Sequence, residues 1–476
     1  MDGDLGVPVD MGAVLVIRAN AVPRVEARGE IRLRGPDLAQ RAGWELVAGE
    51  GRVVGAGPAG STTALKLAQK GVSVALIERG SKPGAKNMFG GSLYGKPIAE
   101  IIPQFWKEAP VERKLTKYKL WFLDETSAAK VGFEGLKFKN PPVNQFSVIR
   151  SNFDYWLAEQ AVKEGAQLLT DTLVTDLIYE QTGLLSNKVT GVELDNEDKI
   201  DAKVVVLAEG AGAALTETAG LRTEIESSEL KLYVKEELAL PAEKINQRFN
   251  LVGDEGAVMG FIGYPTSGAI GKAGLWTNKQ TISLTVGGYL NQLSSKQLNP
   301  YQLLVRTKEH PLISRLLSGA EPINYKSHIV PHGGYSEIPT LYDDGVLVVG
   351  DAAMLVSGRR GSDFAMFSGG YAAETIAQAK ATQDFTSNTL ENYAKRLNNS
   401  FIMESIEEKK ETGKYYQQHQ DADYLLASTA TKAGYDLLTV GMESEKTRSE
   451  NIKQDIASMQ PIPETIADLY QGLQHW

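Results

Sequence analysis

Gly55-Ala56-Gly57-Pro58-Ala59-Gly60 is a GxGxxG run, and Glu78 follows 23 residues after its first glycine. In such a run Gly55 allows a tight turn, Gly57 lets the backbone approach a pyrophosphate, and Gly60 lets a helix pack on a strand. The helix that follows offers unpaired N–H groups and a partial positive charge to phosphates. Glu78 suits the two hydroxyls of an unphosphorylated ribose, whereas a 2′-phosphate would meet like charge. The competing structural reading is a glycine-rich turn without a ligand. A second constellation, Gly350-Asp351-Ala352-Ala353, lies about 290 residues after Gly60 on its own apolar run. Gly350 permits close backbone approach and Asp351 can accept from a ribityl hydroxyl, which favours FAD over NAD. A helix expected from about Ser362 to Ala379 turns its N-terminus to the flavin, a dipole worth about 0.3–2 kcal/mol to a reduced, anionic ring.

The elements that must position these residues are legible around them. Arg52–Val54 is a short apolar strand end, Ser61–Lys70 a helix stopped by Gly71, and Val72–Ile77 a second strand. This βαβ unit demands a parallel sheet. Lys203–Ala208 and Val346–Val349 are continuous apolar runs, expected where helices cover both faces of a sheet. Gln280–Val286 alternates Ile282, Leu284 and Val286 with hydroxyl residues and predicts a half-buried antiparallel strand, as Lys231–Leu240 and Ala257–Tyr264 also do. Helices are expected over Met403–Thr412, Tyr415–Leu426 and around Pro463–Leu473. The first strand looks short, because Gly49-Glu50-Gly51 precedes the fingerprint.

Composition excludes several chemistries. The 476 residues allow two to four domains at about 100–200 residues each. The formal charge of −9 argues against nucleic acid as a partner. Cysteine is absent, which removes disulfides, thiolate zinc, a cysteine nucleophile and any cysteine-ligated iron–sulfur cluster within this chain. No metal site is expected. His328 and His332 are four apart, but Ile329-Val330-Pro331 predicts extended chain, and no third ligand is evident. No secretory signal and no spanning segment of about 18–20 apolar residues is expected. The first 50 residues hold six arginines (Arg18, Arg24, Arg28, Arg32, Arg34, Arg41) and no lysine. They read as an atypical extension in which Ala13–Arg18 and Val25–Leu33 permit a strand pair. Gly210-Ala211-Gly212 resembles a second fingerprint start, but Leu215 stands where Gly or Ala is needed. Trp106, Trp121, Phe122, Phe261, Tyr264 and Trp276 are either core or the wall of a ligand pocket.

Gly55–Gly60, Glu78-Arg79, Gly84-Ala85-Lys86-Asn87-Met88-Phe89-Gly90-Gly91 and Val346–Ala353 together resemble the FixC type of electron-transfer flavoprotein–quinone oxidoreductase. That group lies within the p-hydroxybenzoate-hydroxylase-like flavoproteins, which include geranylgeranyl reductases. The similarity runs from about Val53 to about Ser400. The resemblance implies that Arg150 contacts the FAD phosphate or ribose, Val174 the adenine through its backbone, and Lys86, Met88, Gly90 and Gly91 the isoalloxazine. Ala208-Glu209-Gly210 takes the place of an Asp-Gly motif, with Gly210 the firmer match. The loop Met354–Gly361 is shorter than usual and carries paired arginines.

The fold expected is α/β, with a discontinuous Rossmann-like FAD-binding domain (51–100, 145–222 and 325–384). Into it is inserted a β-rich quinone or substrate domain (101–144 and 223–324), and a helical C-terminal region (385–476) follows. The resemblance further implies an electron path from an electron-transfer flavoprotein of two subunits, through FAD, to quinone, in a cytoplasmic, peripherally membrane-associated complex of the electron-bifurcating kind. With no cysteine here, the cluster would belong to a separate ferredoxin-like iron–sulfur subunit. The alternative is a stand-alone, FAD-dependent reductase of geranylgeranyl or other polyprenyl chains.

Overall fold

The computed structural model describes residues 49–86, 91–183, 187–332, 334–442 and 444–475. The strand pair expected in Ala13–Arg18 and Val25–Leu33 lies outside them. By contacts the chain divides into residues 1–45 and 46–476, and every described residue lies in the second unit.

In chain order, β1 (Gly49–Val54), α1 (Pro58–Gln69) and β2 (Val74–Ile77) make the expected βαβ unit. Then come β3 (Ser92–Tyr94), α2 (Gly95–Ile101), β4 (Val111–Leu123), β5 (Ala128–Glu134), β6 (Gln145–Val148), α3 (Arg150–Lys163), β7 (Gln167–Leu169), β8 (Val174–Gln181), β9 (Asn187–Leu194), β10 (Lys199–Leu207) and α4 (Ala214–Thr218). The middle holds β11 (Leu230–Ala239), α5 (Ala242–Phe249), β12 (Glu255–Gly263), β13 (Gly271–Thr277), β14 (Thr281–Tyr289), α6 (Leu290–Ser295), α7 (Pro300–Glu309), α8 (Pro311–Leu317) and β15 (Glu321–Pro331). The chain closes with β16 (Tyr342–Asp343), β17 (Val346–Val348), α9 (Ser362–Thr382), α10 (Ser387–Asn398), α11 (Phe401–Glu408), α12 (Lys410–Gln418), α13 (Ala422–Leu438), α14 (Glu445–Met459) and α15 (Ile462–His475).

The first sheet runs β16-β17-β10-β1-β2-β7, with β17, β10, β1, β2 and β7 parallel. Its central strands are buried because helices pack on them: Val53, Leu76, Val206 and Leu347 share one core with Leu67 of α1 and Ile376 of α9. Helices are not the whole cover. The hairpin β8–β9 brings Leu177, Val189 and Val192 into the same core. Helices α1 and α9 cross closely at Gly369, where a Cβ would lie 2.3 Å from Ala59 O. β1 begins at Gly49, paired with Ala202, so the sheet starts two residues before the expected boundary at 51.

The second sheet runs β15-β11-β14-β13-β12-β4-β6-β3, with β5 beside β4. All its pairs are antiparallel except β12–β4. Residues 92–94, 145–148 and 325–331, expected with the nucleotide domain, therefore belong to this sheet by hydrogen bonding. Alternate residues Ile282, Leu284 and Val286 pack with Leu303, Leu304 and Ile313 of α7 and α8. The other side of β14 is also buried, so the half-buried expectation is corrected. Its hydroxyls tolerate burial because Ser283 Oγ donates to Glu237 Oε1 at 2.6 Å and Thr285 Oγ1 to Val234 O at 2.8 Å. The expected helix Tyr415–Leu426 is broken between α12 and α13.

Of the six aromatics, Trp121, Phe122 and Phe261 are core, with Trp121 and Phe261 edge to face at 5.6 Å. Trp106 stacks on Phe146, and Tyr264 lies under the Arg306 guanidinium. Trp276 lies against the Gly91 backbone.

Candidate functional site: a dinucleotide crevice

The fingerprint glycines occupy three different kinds of space. Gly55 has φ +101°, and a Cβ there would sit 2.4 Å from Ala208 O; Ala208 N in turn donates to Val54 O at 2.9 Å. Gly60 would place a Cβ 1.9 Å from Gly55 O, so only glycine lets α1 seat on β1. A Cβ on Gly57 would meet nothing within 4 Å. Its backbone is extended at φ −74° and needs no glycine. Gly57 caps α1, whose first turn starts with Pro58 and has neither a side-chain cap nor an acidic residue. An uncapped helix start facing open space is the arrangement that takes a phosphate.

Glu78 stands at the end of β2, where its Oε2 accepts from Ala56 N at 3.0 Å and its Oε1 from Gly80 N at 2.7 Å. The carboxylate thereby fixes the fingerprint loop, and its remaining lone pairs stay available to ribose hydroxyls. Thr172 N donates to Glu78 O at 3.0 Å, which sets Val174, the first residue of β8, two residues beyond this edge. Arg79 and Lys86 are exposed. Met88 and Gly90 fall outside the described residues. Gly91 is buried, and a Cβ there would lie 2.3 Å from the Trp276 ring, whose Nε1 donates to Ser92 Oγ at 2.8 Å.

Gly350 joins the two sequence constellations. Its φ is +66°, its N–H donates to Ser368 Oγ of α9 at 3.0 Å, and a Cβ there would come 2.8 Å from Ala59 Cβ in the first turn of α1. Asp351 follows, half-buried; desolvation raises its pKa to about 6, against the opposing charge of Arg150. Arg150 begins α3. Its Nε and Nη2 donate to Asp154 Oδ1 and Oδ2 at 2.8 and 3.0 Å, and its Nη1 to Ser362 Oγ at 2.9 Å. Gly84, at φ +77°, packs against the same turn, where a Cβ would be 2.9 Å from Asp154 Cβ. Thus Gly55–Gly60, Glu78, Ala208 and Gly350 converge at the carboxyl ends of β1, β2, β10 and β17, the place where open α/β sheets take ligands.

Gly210 has φ +74° with open space at its Cβ position, but Glu209 is engaged elsewhere. Its carboxylate accepts from Leu215 N, Thr216 N and Thr216 Oγ1 at 2.8–2.9 Å and so caps α4. In the short loop before α9, Arg360 pairs with Asp363 at 2.6 Å and covers Phe364 and Phe401; one of the paired arginines thus anchors the helix start. Sequence reasoning missed Asp154 and Ser362 as supports of Arg150. The i, i+4 spacing of Arg150 and Asp154 on a helix was the available signal.

Replacing Glu78 with alanine should weaken FAD, the ligand expected from the sequence, about 10–100-fold, because it removes an acceptor for hydroxyl groups and frees the loop N–H of Ala56. Glu78→Gln, which keeps one acceptor, should fall between. Equilibrium titration of apoprotein with FAD measures both.

Known proteins share the sequence and fold of this chain. A family profile described as pyridine nucleotide-disulphide oxidoreductase matches residues 52–274; its disulphide chemistry has no counterpart in a chain without cysteine. A structure of a geranylgeranyl bacteriochlorophyll reductase-like protein from Thermoplasma acidophilum superposes with a TM-score of 0.61 at 19% identity, covering 88% of this chain and 95% of that one. The fold is that of an FAD-dependent oxidoreductase. FixC of Bradyrhizobium diazoefficiens is 38% identical over 377 residues, 78% of this chain and 86% of the relative. A probable electron transfer flavoprotein-quinone oxidoreductase of Escherichia coli, YdiS, is 40% identical over 359 residues, 75% of this chain and 82% of the relative. The chain belongs to the FixC family.

Proposed function

We propose that this protein binds one FAD in the crevice and catalyses electron transfer from an electron-transfer flavoprotein to a quinone. The observation that carries the reading is the convergence of Gly57, Glu78 and Gly350 on one crevice, in a chain 40% identical to a relative named for that activity. Bound FAD supplies a centre that accepts and returns electrons singly or in pairs.

The chain's own residues bind and orient. The uncapped start of α1 and the open side of Gly57 hold the pyrophosphate. Glu78 takes the adenosine ribose, and Val174 borders the adenine. Arg150, fixed by Asp154 and Ser362, adds a cation, and Asp351 accepts from a ribityl hydroxyl. Lys86 and Gly91 border the ring, with Trp276 packed against Gly91. Ala208 and Gly210 shape the floor.

With no cysteine in the chain, any iron–sulfur centre of the path belongs to another subunit, which we assign to a ferredoxin-like protein beside two flavoprotein subunits. Among the described residues no helix is long and apolar enough to cross a membrane. Leu437, Leu438, Val440 and Met442, at and beyond the end of α13, are exposed together, which supports peripheral contact with a lipid surface.

Stopped-flow absorbance tests the reading. Purified protein should be yellow, release about one FAD per chain on denaturation, and show no iron–sulfur signal. NADH alone should reduce it slowly and the reduced flavoprotein pair quickly, with quinone restoring the oxidised spectrum. A colourless protein that cannot be reconstituted would end the proposal. Fast NADPH oxidation coupled to saturation of a prenyl chain by this protein alone would replace it with the polyprenyl reductase.

A further inference from the structure

One row of the second sheet carries ionisable groups that the cofactor contacts do not use. Lys272 on β13, Gly287 on β14, Tyr233 on β11 and His328 on β15 are register partners across neighbouring strands, so they share a face. Gly287 leaves a gap in that row. A Cβ there would lie 2.8 Å from the Tyr233 ring, which therefore extends over the glycine toward Lys272. Asp423 of α13 closes this end, its Oδ2 accepting from Gly271 N at 3.1 Å.

Lys231, two residues before Tyr233, holds its Nζ 4.4 Å from the Tyr289 ring centre. Lys231, Tyr233, Lys272, Asp423 and Tyr416 line a cavity of about 30 Å³, room for one or two waters. Beside it, Tyr289 Oη is buried with no hydrogen-bond partner, as expected where water completes a polar site. At the far end of the row, His328 feels the charge of Arg150, which also acts on Asp351. Lys326, two residues before His328 on β15, donates from Nζ to Ala85 O beside Gly84, so the row runs from the C-terminal helices toward the dinucleotide crevice.

Three of the groups titrate near neutral pH, whereas burial and then the charge of Arg150 lower His328 to about 4, so that it passes a proton as a neutral ring. Burial lowers Lys231 to about 7 and Lys272 to about 8, and raises Asp423 to about 6. Lys231 and Lys272 each lower Asp423, while Asp468 of α15 raises it. Lys409, after α11, acts on both lysines, and Arg359, before α9, on Lys272. Tyr233, Tyr289 and Tyr416 are held protonated by burial, and His332 is kept neutral by burial and the nearby lysines.

We propose that Asp423, Lys231, Lys272 and Tyr233, with enclosed water, relay protons from the C-terminal helix layer through His328 to the quinone. This inference rests on the quinone reading above. Converting a quinone to its quinol adds two electrons, which the donor flavoprotein supplies, and two protons, one to each carbonyl oxygen. Those protons need a route to the carbonyl oxygens, and the row supplies ionisable groups along one face of the sheet.

The test uses full-length, flavin-loaded protein carrying Asp423→Asn or Lys231→Met. The ratio of turnover with quinone to turnover with ferricenium, which takes an electron and no proton, should fall about 100-fold. The solvent deuterium isotope effect on quinone turnover should rise, and Asp423→Glu should recover part of the rate. Independently of turnover, infrared titration should show a carboxyl C=O band that fades as pH rises through about 6 and is absent from Asp423→Asn. An unchanged ratio and isotope effect in both variants would overturn the relay, as would absence of the band from the wild-type protein. Wild-type protein that reduces ferricenium but no quinone would instead overturn the quinone reading, and the relay with it.

Discussion

Gly60→Ala should destabilise the protein by about 3 kcal/mol or more and yield it without flavin. The added methyl would stand 1.9 Å from Gly55 O and 3.1 Å from Val53 Cγ1. Neither neighbour can withdraw cheaply. Gly55 N is tied to Ile77 O at 2.8 Å, and Val53 lies in a parallel strand bonded on both sides. Helix α1 would have to lift off the sheet. Gly57→Ala provides the contrast, because its methyl would meet nothing within 4 Å and its backbone is ordinary for alanine. Its apoprotein should melt within about 2 °C of wild type, while FAD weakens at least about tenfold, or about 1.4 kcal/mol. Thermal melts of the apoproteins and FAD titrations separate the two glycines. Equal FAD affinity in Gly57→Ala would show that the pyrophosphate does not occupy this space.

Asp154→Ala should cost about 3–5 kcal/mol, the usual result of removing one member of a buried ion pair. Arg150 and Asp154 are both nearly inaccessible, at 6% and 1% exposure, and are joined by two hydrogen bonds. Without the carboxylate, the guanidinium remains buried beside Ser362 and loses its orientation toward the crevice. Arg150→Met combined with Asp154→Leu should recover much of the stability, because no isolated charge is then left inside. It should not recover FAD affinity, since the cation is gone. Denaturant unfolding of Arg150→Met, Asp154→Leu and the double variant measures the coupling, and additive losses would show that the pair acts as two separate groups.

Local features of the chain determine a large part of the fold and site. The turn at Gly55 and the seating of α1 at Gly60 are backbone demands, and a sequence of glycines states them directly. Parallel β1 and β2 follow from a helix too short to do anything but cross between neighbouring strands. Absence of cysteine settles cluster chemistry within the chain, because ligands that are not encoded cannot be supplied by folding. The loop Gly84–Gly91, with the fingerprint and the Gly-Asp motif, points to the FixC family.

The tertiary structure decides what spacing along the chain does not carry. That Gly350 lies against Ala59 depends on β17 pairing with β10 and β10 with β1, two pairings that each join strands about 140–150 residues apart in sequence. Glu209 stands where an Asp-Gly motif would place its carboxylate, yet α4 takes that carboxylate for three hydrogen bonds. The alternation in β14 correctly marks two faces. Alternation reports only that the faces differ, however, and Ser283 and Thr285 are buried because Glu237 and Val234 O satisfy them. Lys231, Lys272 and Asp423 read separately as ordinary charged residues. Only sheet register and the packing of α13 remove them together from water, and it is that shared loss of solvent that moves their protonation toward neutral pH.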